Sequence, residues 1–439
     1  MHEIEALQRK AADMTAAQTA QPHIVLYGLI GVGNYGNDAS FEAMLHDLRV
    51  RLPNARYTCV SHAPAAVEAE YGVPSESIIQ RTPRAKSGNV FVRIVRRLID
   101  EPLSLYRTIK FLNSVDHFVV AGTGFLDDFC MKPFALPLQH LKWAALCKLT
   151  RTPYYLACIG AGPIANPITR RFYRWIAKLD THTSFRDGYS LEFVKGLGVK
   201  TDTDEIVPDI VFDLPLSDEL KAASGVKEVK TVGFGVMELC DSADGRFNGE
   251  ACHPEYVEKV GTFVTELVER GLKVRMLTGD VVDNRVTRDL KALFARRIPD
   301  LASNITMHPI STMHGLLDEL AQVDVAIGSR YHNVVGAMML EKPVIALGYS
   351  PRFPALMNHY AMGEFCQDVW DFDLDKLRSD FTEISANAAE VSAAIAKRNA
   401  ENRARIGAHF DELADRFAQG PGRKAPSPAI EGKVSSAQG

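Results

Sequence analysis

Short apolar runs, each closed by a turn and followed by a helical stretch, recur along most of this chain. That alternation constrains its fold more than any other feature. "HIVLYG" (23–28), "RYTCV" (56–60), "HFVVA" (117–121), "YYLACI" (154–159) and "TSFR" (183–186) mark strands in the first half. After a polar, Lys-rich stretch at 213–229 the pattern restarts with "KTVGFGV" (230–236), "KVRML" (273–277), "VDVAIG" (323–328) and "PVIAL" (343–347). Runs this short and apolar suit strands covered on both faces, and strand–helix alternation suits parallel sheets. The expectation is an α/β fold class with two doubly wound domains hinged near 213–229. The units predicted are 22–212, 230–383, a C-terminal helix over 384–418 and a tail over 419–439 of disordered composition.

A chain of 439 residues is long for one core, which agrees with two domains. Its net charge of −4 gives no global case for nucleic-acid binding. No apolar run approaches the ~20 residues needed to span a bilayer. Residues 1–21 lack the basic region, apolar core and cleavage site of a signal peptide. The seven cysteines are scattered, without a CxxC pair or a clustered histidine. They read as reduced cysteines of a cytoplasmic protein.

Glycine loops follow several of the predicted strands. Gly31, Gly33 and Gly36 match GxGxxG, but the second strand ends "TCVSHAP" with no carboxylate to hold a ribose, so the dinucleotide reading lacks its partner. Gly122-Thr123-Gly124 and Gly160-Ala161-Gly162 follow the third and fourth strands. Each alone is what a tight turn requires. Three loops gathered at one carboxyl edge would make a crevice whose backbone N–H groups cradle an anionic or hydroxyl-rich ligand. Asp38 and Asp128 suit hydrogen bonds to sugar hydroxyls and suit helix capping equally.

Charge sits at two further strand ends. Arg186-Asp187 follows "TSF", with Asp187 or Ser190 placed to cap the next helix. Arg330 and His332 follow "VDVAIGS", at the carboxyl end of a predicted buried strand where open α/β sheets hold ligands. No HExxH or Cys/His cluster argues for a metal, and Asp127-Asp128 alone does not. No metal requirement is expected. Residues 81–111 hold eight basic and two acidic residues interleaved with apolar ones. That pattern suits a solvated helix face or a helix on an anionic membrane surface.

Taken in order, "GVGNYGND", "GTGFLDD", "GAGP", "FRDGYSLEFVKGLGV", "VPDIVF" and "SRYHNVVGAMMLEKPVIALGYSPR" resemble the polysaccharide pyruvyl transferase family across about residues 22–355. Thr123 stands where the family has a glycine, Asn37 precedes the acidic position, Tyr331 and Asn333 flank the histidine, and Arg352 replaces a lysine. The resemblance implies a GT-B-like fold with its site between two Rossmann-type domains. It implies transfer of pyruvyl from phosphoenolpyruvate to a sugar or lipid-linked glycan, often as a ketal, with no cofactor.

On that basis His332 is the expected general acid/base, since histidine titrates near neutrality, with Arg330 neutralising the donor anion and tuning the ring. Arg186 completes a clamp on the donor, guanidinium being suited to phosphate and carboxylate. Gly31, Gly33, Asn34, Asp38, Gly122, Thr123, Gly124, Asp128, Gly160, Gly162, Asp187, Ser329, Tyr331 and Arg352 are the expected substrate contacts. A nucleotide-sugar glycosyltransferase and a non-catalytic glycan-binding relative remain the competing readings.

Overall fold

The structure, a computed structural model, describes residues 21–79, 90–128, 131–202, 204–242 and 245–419; the side chains of 90–100 and 281 fall outside that description. Two parallel sheets organise it. The first contains β1 (His23–Tyr27), β2 (Arg56–Ser61), β3 (Ser75–Ser77), β4 (His117–Ala121), β5 (Tyr154–Ile159), β6 (His182–Phe185) and β7 (Glu205–Ile206), in the order 3-2-1-4-5-6-7. The second contains β8 (Thr231–Gly235), β9 (Lys273–Leu277), β10 (Ile305–Thr306), β11 (Val325–Gly328), β12 (Val344–Gly348) and β13 (Cys366–Asp368), in the order 10-9-8-11-12-13. All pairings are parallel: Leu26 lies between Cys59 and Val119, and Ile327 between Phe234 and Ile345.

Central strands are buried along their whole length because helices cover both faces. Every predicted strand is present, with ends within two residues of expectation. The strands that sequence reading missed, β3, β7, β10 and β13, are two or three residues long and lie at sheet edges. Edge strands of that length carry no apolar run to detect.

One apolar core runs through both domains, joining Ile24 and Phe41 to Phe234 and Ile327; a second lies on the other face of the first sheet, around Tyr27, Phe118 and Trp143. The predicted helix over 384–418 is two helices, Leu374–Ala386 and Ala388–Ala418, broken at Asn387. The longer one does not stand apart from the domains. Asn399 donates to the Met338 carbonyl in the second domain, while His409 meets Glu205 and Phe417 packs against His117 in the first. It straps the two domains together.

In each sheet the strand order reverses once, between β1 and β4 and between β8 and β11. Crevices open there at the carboxyl ends of the strands. The two crevices face each other: Asn34, after β1, forms an antiparallel bridge with Asp280, after β9. Tyr35 Oη donates to the Ile310 carbonyl at 2.5 Å, and His314 pairs with Glu42 at 2.8 Å.

Within the basic segment, residues 81–89 and the side chains of 90–100 lie outside the described residues, as does the tail from 420 on. Among the described residues no helix is long and apolar enough to cross a membrane. Among the described residues Cys59, Cys147, Cys158, Cys240, Cys252 and Cys366 form no disulfide, while Cys130 lies outside the described residues.

Candidate functional site

A cavity of about 500 Å³ lies between the two sheets. Its wall draws on the loops after β1 (Asn34, Asn37), β4 (Thr123, Gly124, Asp127), β6 (Arg186), β8 (Glu238), β9 (Asp280), β11 (Arg330, Tyr331, His332) and β12 (Tyr349, Arg352). Each of these residues lies in the loop, or the first helical turn, that follows the carboxyl end of a strand. Sequence motifs hundreds of residues apart therefore meet because parallel strands all deliver their loops to one edge.

His332 sits in the first turn of the helix Tyr331–Met339. A β-carbon on Gly36, in the first turn of the helix Tyr35–Arg51, would overlap its ring. The third glycine of GxGxxG thus gives the imidazole its seat. His332 Nε2 is enclosed and has no hydrogen-bond partner among the described residues. Burial, helped by Arg186 and Arg352 and opposed by Asp209, pushes its pKa down to about 4. At neutral pH the ring is uncharged and able to accept a proton.

Arg330 caps that helix in extended conformation. Its Nε and Nη2 form a fork onto Asp283, a fully buried carboxylate that also accepts from the backbone of Glu238, Gly279 and Asp280. Burial opposes the Arg330 charge, but Asp283 holds the guanidinium above its usual pKa. Here the structure corrects the expectation: the cations that tune His332 are Arg186 and Arg352, and Arg330 is spent largely on Asp283. Its Nη1 makes no hydrogen bond among the described residues.

Arg186 leaves β6 and is almost fully buried. Its Nη1 donates to Asp209 at 2.9 Å, its guanidinium carbon lies 4.3 Å from the centre of the Tyr331 ring, and its Nε faces Asp187 at 3.7 Å without a hydrogen bond among the described residues. Gly160 makes room for it, since a β-carbon there would come 2.8 Å from Nε. Arg352, at the start of the helix Arg352–His359, reaches across the cleft to Asp127 at 3.1 Å. Gly124 admits it, a β-carbon there falling 2.6 Å from Nη1. Guanidiniums from both domains thus converge on one cavity, each anchored by a carboxylate that fixes its plane.

Other expected contacts hold the loops instead of lining the cavity. Asp38 accepts from Gly31 N at 2.7 Å, and burial raises its pKa to about 6. Gly31 and Gly33 have φ of +76° and +85°, a region that side chains disfavour. Asp128 accepts from Ala165 N and Asn166 N, pinning the loop after β5, and lines a neighbouring cavity. Asp187 caps the helix Gly188–Gly196 by accepting from Ser190 N at 2.6 Å. Ser329 lies under the floor, 3.3 Å from Tyr256 Oη. Gly122 gives space to Ile210, and Gly162 to Phe193.

Sequence reading missed Asp283, Asp209 and Gly36 as partners of the three central side chains. "VPDIVF" contained Asp209, but Asp283 sits in a short 3-10 turn with no motif around it. Among the described residues, His182, Glu205 and His409 form a group able to hold a metal; it lies at the strap helix, away from the cleft.

Comparison with solved structures bears on the fold. Anabaena HepE in complex with UDP and glucose superposes with a TM-score of 0.57 at 11% identity, over 90% of this chain and 99% of that one. The Neisseria meningitidis UDP-GlcNAc 2-epimerase bound to UDP-GlcNAc gives 0.58 at 10% identity, over 90% and 100%. A Rickettsia africae glycosyltransferase gives 0.54 at 12% identity, over 91% and 99%. These likenesses establish the GT-B-like arrangement of two Rossmann-like domains. No curated protein matches the sequence significantly. The sequence model described as polysaccharide pyruvyl transferase matches residues 34–351, from the cap of the first helix to the turn before Arg352. That span takes in the Gly36–His332 contact, every strand from β2 to β12 and the loops between them: the chain belongs to the polysaccharide pyruvyl transferase family.

Proposed function

We propose that this protein transfers the pyruvyl group of phosphoenolpyruvate to two hydroxyls of a sugar, forming a cyclic ketal, in the cavity between its domains. The observation that carries this reading is the convergence of Arg186, Arg330 and Arg352 on a cavity whose wall also presents a neutral His332. Phosphoenolpyruvate offers a phosphate and a carboxylate. Arg330 Nη1 and the free edges of Arg186 and Arg352 supply donors from both sides of the cleft.

In the reaction, two sugar oxygens bond to C2 of the donor and the C2–O bond to phosphate breaks. One of the two hydroxyl protons ends on the donor's methylene carbon, making a methyl group, and the other leaves with phosphate. His332, starting neutral, takes a hydroxyl proton and delivers it to that carbon; Arg186 and Arg352 stabilise the departing phosphate. No step requires a cofactor. The acceptor lies towards the second cavity of about 570 Å³, which shares Asp127, Met131, Tyr349 and Arg352 with the first.

The deciding experiment incubates the protein with phosphoenolpyruvate and a panel of free and lipid-linked sugars. Inorganic phosphate and the mass gain of a ketal are measured in the same tubes. UDP-sugars form the control arm, because the Anabaena and Neisseria structures contain UDP and UDP-GlcNAc. Thermal stabilisation by UDP-sugars alone, with no phosphate released from phosphoenolpyruvate, would replace this reading by a glycosyltransferase one.

A further inference from the structure

From Met131 to Leu179 the chain contains eight Lys and Arg residues and not one Asp or Glu. In a protein with 54 acidic residues against 50 basic ones, that is a local reversal of sign. The structure shows where the charge goes. The helix Pro167–Leu179 buries Thr169, Tyr173 and Ile176 and turns Arg170, Arg171, Arg174 and Lys178 outward, none of them in an ion pair among the described residues.

Large apolar side chains share this face. Phe134 is 68% exposed and Trp175 is 48% exposed, and half-buried Phe172 links them, its ring 6.2 Å from Phe134 and 6.3 Å from Trp175. Ile168 and Leu138 are exposed beside them. An aromatic strip bordered by unpaired cations is costly to leave in water and matches the headgroup region of a bilayer. There rings sit at the interface while Arg and Lys reach phosphate.

We infer that this face docks on an anionic phospholipid surface. A second copy is a poor occupant, because a two-fold contact would press the same unpaired cations against themselves. The segment differs from residues 81–111, although the helix Val90–Leu112 also exposes Leu103, Leu105 and Tyr106 on the same side of the sheet. Position gives the face a purpose. The loop before Phe134 and the start of the helix Pro167–Leu179 supply Met131, Lys132, Asn166 and Pro167 to the wall of the acceptor-side cavity. A bilayer on this face would bring lipid-borne molecules to the mouth of the cleft. That a lipid-linked sugar is what enters rests on the pyruvyl-transfer reading; the docking itself does not, and its test uses no turnover.

The test is sedimentation of the full-length protein with vesicles of phosphatidylcholine alone or mixed with phosphatidylglycerol, at low and high salt. Tryptophan emission is read in parallel. Trp143 and Trp370 are 2% and 8% exposed, so an emission change reports Trp175. The expected result is salt-sensitive binding to the anionic vesicles with a blue shift. R170Q/R171Q/R174Q should weaken binding on the order of a hundredfold, at about a factor of five per surface cation. F134S/W175S, which removes the reporting ring, should weaken sedimentation with vesicles at either salt concentration, and F134S alone should reduce the shift. These variants should keep the wild-type melting temperature, since the altered side chains are exposed or half-buried at the surface. Equal binding to neutral and anionic vesicles, unaltered binding by the triple variant, or a dimer that F134S/W175S dissociates would each overturn the inference. So would binding to a soluble polyanion as tight as to vesicles, with no blue shift.

Discussion

The imidazole of His332 rests on the α-carbon of Gly36, so closely that a β-carbon there would occupy the ring's place. The contact joins the first helical turn of one domain to the first helical turn of the other. Gly36 has an ordinary helical backbone, and alanine would gain about 1 kcal/mol in helix propensity. The added methyl must displace the ring, an overpacking that costs about 1–3 kcal/mol and outweighs that gain, so Gly36→Ala should lower the melting temperature by some degrees while turnover falls towards that of His332→Gln. Melting and phosphate release on one preparation check this. A folded, fully active Gly36→Ala protein would show that the ring's seat is unimportant.

His332→Gln should lower turnover by roughly 10²–10⁴-fold with the fold retained. The pH profiles carry the finer test. In the free enzyme the ring titrates at about 4, so kcat/KM for donor should lose activity only as pH falls towards that value. A bound trianion beside the ring favours its protonated form, so the acidic limb of kcat should lie at higher pH. Stability has a definite sign too. Between about 4 and the ordinary 6.5 the unfolded chain binds the proton and the folded one does not, so falling pH destabilises the fold there. Urea midpoints of His332→Gln should show a shallower loss over that interval.

Arg330→Ala is expected to injure the fold as well as donor binding. It strips the partner from Asp283, which is fully buried, and breaking such pairs costs about 3–5 kcal/mol. Arg330→Lys keeps a charge but loses the two-pronged fork, and should recover part of the stability. Differential scanning calorimetry of the two variants decides. A melting temperature unchanged in Arg330→Ala would remove Asp283 as the reason for this arginine.

The strap helix should hold the first domain in a pH-dependent way. Burial lowers the pKa of His409, but Cys158 and Glu205 raise it to about 10, and His182 and His409 hold Glu205 well below the usual carboxylate range. The His409 contribution is full below 6.5 and disappears as pH rises through about 10; the Glu205 contribution is full above 4.5 and disappears as pH falls. Glu205→Gln should therefore cost most between pH 4.5 and 6.5 and little above pH 10. A variant-to-wild-type difference in urea midpoint that stays flat across that range would contradict the pairing.

What the sequence determined by itself was the set of central strands and the loops that follow them. Apolar runs such as "HFVVA" and "VDVAIG" have one comfortable place, a sheet covered on both faces, and parallel strands send every following loop to the same edge. That is why Arg186, Arg330, His332, Thr123 and Gly124 could be gathered from separate motifs and are found around one cavity. The choice of partner within that gathering belonged to the tertiary structure. Whether Arg330 faces a ligand or Asp283, and whether Asp38, Asp128 and Asp187 meet a sugar or pin a loop, depends on ångström-scale distances between segments that sequence spacing does not encode. The protonation of His332 follows the same rule. An imidazole titrates near neutrality in water, and the enclosure of its ring nitrogen beside Gly36 and Tyr331 is a property of packing alone.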